Sequence, residues 1–211
     1  MEVLPFLDYA GVAVFAATGA LAASRKQLDI IGFLFFASIT GIGGGTLRDL
    51  VLGQTPVFWV LNPAYILVST GIAILVYFTA HLFESRYKLL LWLDAIGISA
   101  YAVMGASKGY SATDSISIAI IMGILTATFG GILRDVLAGE PSVLLRPEVY
   151  IAAVLAGAAT YTLATVVGMP LVIAASAGFL VTFIIRGGAL RFGWTFPTYK
   201  SRPGRDPDDI M

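Results

Sequence analysis

The sequence predicts an all-α membrane protein: seven transmembrane helices, arranged as an inverted repeat of two three-helix bundles plus a seventh helix. Three observations lead there. Apolar residues make up 58% of the chain and charged residues 12%, with mean hydropathy +0.88, whereas soluble domains carry about 25% charged residues. The apolar residues gather into seven stretches near the ~20 residues that cross a bilayer as a helix. One pattern is also written twice without a gap, 86 residues apart: Leu7-Asp8 onto Leu93-Asp94, Gly11 onto Gly97, Gly19-Ala20 onto Gly105-Ala106, Thr40 onto Thr126, Gly44-Gly45 onto Gly130-Gly131, Leu47-Arg48-Asp49 onto Leu133-Arg134-Asp135 and Gly53 onto Gly139.

The spans fall near 5–24, 30–52, 63–80, 89–107, 114–138, 148–167 and 170–187. The first holds Asp8 and follows Met1-Glu2-Val3, which lacks the basic start of a secretory signal, so it reads as a retained helix. Arg25-Lys26-Gln27 separates it from the second span, which carries GIGGGTLRD, Gly41 to Asp49. Gln54-Thr55-Pro56 precedes the third, and the charged stretch His81 to Lys88 precedes the fourth, in which Asp94 follows Leu89 to Leu93. Lys108 to Asp114 leads into the fifth span, which ends on ATFGGILRD, Ala127 to Asp135. Gly139 to Pro147 and the tight Gly168-Met169-Pro170 bound the sixth. The seventh span gives way after Arg186 to a polar tail, leaving one transmembrane domain over 1–190, with repeats at about 5–80 and 89–167, and a cytoplasmic tail at 191–211. Small residues crowd the last two spans, as in Ala156 to Ala159 and Ala174 to Gly178, which suits close helix packing.

Lys and Arg set the orientation. With the N-terminus outside, the inner loops and tail hold Arg25, Lys26, Arg86, Lys88, Arg146, Arg186, Arg191, Lys200, Arg202 and Arg205, against Lys108 alone outside. The expected arrangement is therefore multi-pass, with the N-terminus outside and the C-terminus cytoplasmic. Equivalent positions in the first and fourth spans are separated by three crossings, so the halves run in opposite directions. Such inverted repeats place functional sites near the midplane, where the halves meet.

Gly41, Gly43, Gly44 and Gly45 lie inside the second span, Gly130 and Gly131 inside the fifth. Each glycine costs ~1 kcal/mol relative to alanine in a helix, so the expectation is a kinked or unwound turn, with Thr46 onward restarting as a half-helix. Open backbone is tolerated in lipid only where protein or water meets it, which would turn the breaks toward a cavity. Arg48 and Asp49, adjacent on a helix, point roughly 100° apart, so each is expected to find a partner elsewhere: Arg48 with Asp8, Asp94 or Asp135, and Arg134 with the equivalent set. Intramembrane charges mark ion pathways, proton relays or structural pairs, and both the pore-facing and the helix-pinning reading stand for the two Arg-Asp pairs. Asp8 and Asp94 read either as acidic vestibules at opposite faces or as charges on helix N-termini.

Several function classes are excluded. Zero formal charge, from 13 basic and 13 acidic residues, gives no field for nucleic acid, and the absence of cysteine removes disulfides and thiolate chemistry. GIGGG lacks the soluble strand-turn-helix context of a dinucleotide site, and the second copy, FGGILRD, loses its spacing. His81, the single histidine, reads as interfacial beside Glu84 and Arg86. Tyr87, Trp92, Phe192, Trp194 and Tyr199, with Phe58 and Trp59 on the other side, fit an aromatic belt. No catalytic triad or set of metal ligands is present, so neither an enzyme nor a metal or cofactor site is expected.

With the doubled GG-x-x-R-D motif in the second and fifth of seven spans, the chain resembles the trimeric intracellular cation (TRIC) channels, in their prokaryotic branch, also catalogued as an uncharacterised membrane family with a proposed glycine-transport role. The resemblance covers about 5–190. It implies a homotrimer in membrane lipid, with an hourglass pore for K⁺, and for Na⁺, in each subunit and kinks at Gly44-Gly45 and Gly130-Gly131. Three readings follow: a passive monovalent cation channel, a secondary transporter of a small solute such as glycine, or a structural membrane protein. The last leaves two costly Arg-Asp pairs without a purpose.

Overall fold

The computed structural model describes residues 3–145, 148–197 and 204, with side chains from residue 5 onward. The helices are α1 (Val3–Arg25), α2 (Ile30–Val51), the short α3 (Phe58–Leu61), α4 (Ala64–Thr79), α5 (Arg86–Thr113), α6 (Ile116–Leu137), α7 (Ile151–Val166) and α8 (Leu171–Phe192). Six helical stretches are long and apolar enough to cross a membrane, and α7, at 16 residues, is the shorter seventh. The chain is thus a multi-pass membrane protein. The second and fifth spans of the sequence are α2 and α6.

Boundaries follow local chemistry, and the two halves share it. Asp29 caps α2 by accepting the Gly32 amide at 2.8 Å, and Ser115, its equivalent 86 residues on, caps α6 by accepting the Ile118 amide at 3.4 Å. Both helices stop on a left-handed glycine, Gly53 at φ 66° and Gly139 at φ 62°. In each, the next amide reaches back to an aspartate carbonyl, Gln54 to Asp49 at 2.8 Å and Glu140 to Asp135 at 2.9 Å, closing a Schellman turn. The chain then folds back into α3 in the first half and into a 3₁₀ turn, Val143–Leu145, in the second.

Two expected spans lengthen. α5 runs 28 residues against the expected 89–107, starting where Ser85 accepts the Lys88 amide, so Lys108 lies within the helix and not in a loop. α8 continues past Arg186 to Phe192 and ends on Gly193 at φ 70°. Arg186, expected among the inner loop charges, is wholly buried. Arg146, Lys200, Arg202 and Arg205, also in that count, lie outside the described residues, as does Tyr199.

Reciprocal contacts relate the halves. Gly11 of α1 lies under the Tyr101 ring of α5, and Gly97 of α5 lies under the Phe15 ring of α1, 86 residues from each. The two rings meet with centroids 5.1 Å apart. α2 crosses α6 in the same manner: a Cβ on Gly44 would fall on the Thr126 carbonyl oxygen, and one on Gly130 on the equivalent Thr40 carbonyl oxygen. α7 and α8 pack together and against α5, outside this paired centre. Large apolar side chains such as Leu67, Phe78 and Ile184 remain on the periphery, the face such a protein turns to lipid or to another subunit.

α2 and α6 are unbroken α-helix through the glycines. The expected unwound turn and restarted half-helices are therefore absent. An unwound turn would strip backbone hydrogen bonds at membrane depth, each costing several kcal/mol, whereas the glycines let the two backbones approach closely while both helices stay continuous.

Candidate functional site

Two clusters of charged side chains flank the α2–α6 crossing, one toward each end of the bundle. The first is built where α2 ends. Arg48 Nε donates to Asp49 Oδ1 at 2.8 Å, and Arg48 Nη2 lies 2.8 Å from the same oxygen. Adjacent residues do pair, contrary to the 100° expectation, because the long arginine stem folds back over its own helix. Asp49 Oδ2 accepts the Phe58 amide at 2.9 Å, so the chain returning through α3 seals the carboxylate. Lys108 of α5 brings Nζ to 3.8 Å from Asp49 Oδ1. Both cations lean on the Phe58 ring, Arg48 at 5.5 Å and Lys108 at 5.8 Å from its centroid. Asp8 is not paired with Arg48: its Oδ2 accepts the Tyr65 hydroxyl at 3.0 Å, and Tyr65 stacks on Tyr9 and meets Phe58 edge-on.

The second cluster repeats this plan with one more carboxylate on the arginine. Arg134 Nε donates to Asp135 Oδ1 at 2.9 Å, while Nη1 donates to Asp94 Oδ1 at 3.0 Å and to the Thr18 hydroxyl at 3.1 Å. One guanidinium thus ties α6 to α5 and across the repeat boundary to α1. Asp135 Oδ2 accepts the Val143 amide at 3.0 Å, as Asp49 accepts Phe58. The position equivalent to Thr18 in the first half is Met104, which offers no hydroxyl, and Arg48 Nη1 has no hydrogen-bond partner among the described residues.

The glycines divide between the crossing and the clusters. Gly44 and Gly130 make the crossing, and Gly43 faces Leu133 of the opposite helix. Gly45 instead faces the Phe58 ring of the first cluster, and its equivalent Gly131 faces the second, where a Cβ would stand 3.5–3.6 Å from Asp94, the Tyr150 hydroxyl and Arg134. The Gly41 carbonyl accepts the Tyr101 hydroxyl at 3.1 Å. Thr46 returns its hydroxyl to the Ile42 carbonyl and accepts the Trp59 indole N–H at 3.0 Å. Thr126 and Thr128 likewise spend their hydroxyls on their own helix.

Arg48, Asp94 and Arg134 are wholly buried, and Asp8, Asp49 and Asp135 nearly so. Reading the sequence missed Lys108, Tyr65 and Tyr150 as members of these clusters. It also missed a further ion pair, that of the buried Arg186 with the partly exposed Glu148 at 2.8 Å, the arginine guanidinium lying 5.0 Å over the Tyr150 ring. Here the segment after α8 comes back, with Thr195 bridged antiparallel to Glu148 and Trp194 packed on Gly188.

A family model described as "Glycine transporter" matches the chain twice, over 5–81 and 91–166, once per half. A UPF0126 membrane protein of Vibrio cholerae is 41% identical over 94% of this chain and 83% of its own length. Among solved structures, a TRIC trimeric intracellular cation channel orthologue from Rhodobacter sphaeroides is 50% identical and superposes with TM-score 0.90, covering 92% of this chain and 100% of that one. A second, described in terms of conductance through TRIC cation channels, is 32% identical with TM-score 0.84, covering 96% and 100%. The chain belongs to the TRIC channel family, in the prokaryotic branch that also carries the UPF0126 and glycine-transporter descriptions.

Proposed function

We propose that the chain is a cation channel that passes K⁺ and Na⁺ through a pathway in each subunit of a homotrimer, set in the plasma membrane with the N-terminus outside. The observation that carries this reading is one charged cluster on each side of a backbone-to-backbone helix crossing, on a chain whose solved relatives include cation channels. The pathway runs beside the crossing: Gly44 and Gly130 hold the halves together, while Gly41, Gly45, Thr46 and Gly131 line its flanks. In this reading, conduction requires the Arg48–Asp49 and Arg134–Asp94 contacts to part or shift. The carboxylates left near the path, Asp8, Asp49, Asp94 and Asp135, favour cations over anions. Among the described residues, Arg25, Lys26, Arg86, Lys88 and Arg191 remain at one end of the bundle, which supports the orientation. Arg25 at the end of α1 pairs with Glu140 after α6 at 2.9 Å, and Arg86 at the start of α5 donates to the Ser24 carbonyl.

A glycine transporter is the second reading, favoured by the description of the family model. It needs free helix N-terminal amides to hold a carboxylate, and continuous α2 and α6 provide none at the crossing. Reconstitution into liposomes separates the two. A channel dissipates a K⁺ gradient without glycine; a transporter accumulates labelled glycine and leaves the K⁺ gradient in place when glycine is omitted.

A further inference from the structure

The two halves hold equivalent tyrosines in different ways. Tyr65 stands seven residues after Phe58, whose amide caps Asp49, and Tyr150 stands seven residues after Val143, whose amide caps Asp135. Tyr65 gives its hydroxyl to Asp8 and is steadied by the Tyr9 ring, stacked on it at 4.2 Å. The residue 86 positions after Tyr9 is Ala95, so the repeat offers Tyr150 no such ring.

The end of the chain supplies the support instead. Arg186 of α8 lays its guanidinium 5.0 Å over the Tyr150 ring, donates to the Val149 carbonyl at 3.4 Å and pairs with Glu148 at 2.8 Å. α8 then ends on Gly193 at φ 70°, and the chain turns back along the residues that precede α7. Thr195 forms an antiparallel bridge with Glu148, and the Val149 amide donates to the Trp194 carbonyl at 3.3 Å. The Trp194 ring covers Gly188, where a Cβ would strike it, and stacks on Phe192 at 5.8 Å. Glu148, Val149 and Tyr150 are thereby clamped between α8 and the segment that follows it. On its other side Tyr150 meets the second cluster: its hydroxyl, Asp94 Oδ1 and Arg134 Nη2 all lie 3.5–3.6 Å from the Cβ position of Gly131. The clamp is built to detach, since it rests on one isolated bridge beyond the end of α8 and its Trp194 is 45% exposed. We propose that Gly193 to Thr195 form a latch, which holds Tyr150 on the second cluster and keeps Arg134 on Asp94, so that its release favours the conducting state. The inference rests on the channel reading. Tyr150 packs beside the Arg134–Asp94 contact, so that contact parts more readily once the tyrosine is free to move.

The test is single-channel recording of full-length wild type, W194A, W194F and E148C/T195C in planar bilayers, after elution as the wild-type oligomer. An antiparallel bridge sets paired Cα atoms ~4.5–5.5 Å apart, a separation that a disulfide spans, and the chain has no other cysteine. E148C/T195C should open about 2–10-fold more often when reduced than when oxidised, the factor by which one net hydrogen bond shifts a two-state equilibrium, and the change should reverse on reoxidation. Glu148 is missing in both forms, so only the latch differs between them. W194A should open more often than wild type at unchanged unitary current, and W194F should stay close to wild type. Equal open probability in the oxidised and reduced pair overturns the inference, as does a change in unitary current without a change in open probability. If neither W194A nor E148C/T195C assembles, the segment is a folding element and the inference is likewise overturned. If wild type passes no cation current, the channel reading fails and takes this inference with it.

Discussion

Replacing Arg134 with alanine is the sharpest perturbation of this structure. The guanidinium makes contacts at 2.9–3.1 Å to Asp135, Asp94 and Thr18, and both it and Asp94 are 0% exposed. Without it, Asp94 loses its hydrogen-bond donor, and Asp135 keeps the Val143 amide. Two carboxylates then stand near each other with their shared counter-charge gone. Breaking a buried pair from one side costs about 3–5 kcal/mol, a large part of the stability of an ordinary domain. Arg48→Ala should cost less, roughly 1.5–3 kcal/mol as for lost hydrogen bonds to a charged group, because Asp49 keeps the Phe58 amide and Lys108. The assay is the melting temperature and elution profile of purified wild type, R134A, R48A and the double variant R134A/D94N. The expected order is wild type above R48A above R134A, with D94N recovering part of the loss in R134A by removing the orphaned charge. A well-behaved R134A oligomer with wild-type melting temperature and raised cation current would refute the pinning role of Arg134.

Three further outcomes follow from the same packing. Gly44→Ala and Gly130→Ala should each destabilise by about 1–3 kcal/mol, the usual cost of overpacking, because the new methyl meets a backbone carbonyl that cannot move aside; thermal melts check this. Gly71→Ala, on α4 with nothing within 4 Å of the new Cβ, should be neutral or stabilise by up to ~1 kcal/mol through helix propensity, and serves as the control. Arg186→Ala should cost roughly 2–3 kcal/mol, less than R134A, because its partner Glu148 has a side chain 28% exposed and can reach water; the same melts rank them.

Spacing carried most of the fold. A gapless 86-residue repeat makes the contacts between its halves come in reciprocal pairs, as the Gly11–Tyr101 and Gly97–Phe15 contacts do. The Arg134–Asp94 contact lies within the predicted partner set, although its repeat-related counterpart, Arg48 with Asp8, does not form. Two kinds of error have physical causes. The unwound turn was read from helix propensity, which is worth ~1 kcal/mol per residue, whereas in a membrane the loss of backbone hydrogen bonds dominates and the helices run on through the glycines. Charges near the ends of apolar stretches were read as loop residues, yet Arg186 and Lys108 sit inside helices because carboxylates distant in sequence compensate them. Nothing local to either residue announces its partner. The short α3 was also hidden: at four residues, Phe58–Leu61 is below the length at which periodicity is readable, although its amide closes the first cluster.

The central claim, that this chain conducts cations, is tested most directly by the reversal potential of the purified wild-type protein in a planar bilayer under a KCl gradient. The clusters predict a reversal potential close to the K⁺ equilibrium potential, moving little when Na⁺ replaces K⁺ on one side, because no narrow ring of backbone carbonyls selects between them. A reversal potential that follows the Cl⁻ gradient, or current that appears only when glycine is added, would contradict the account.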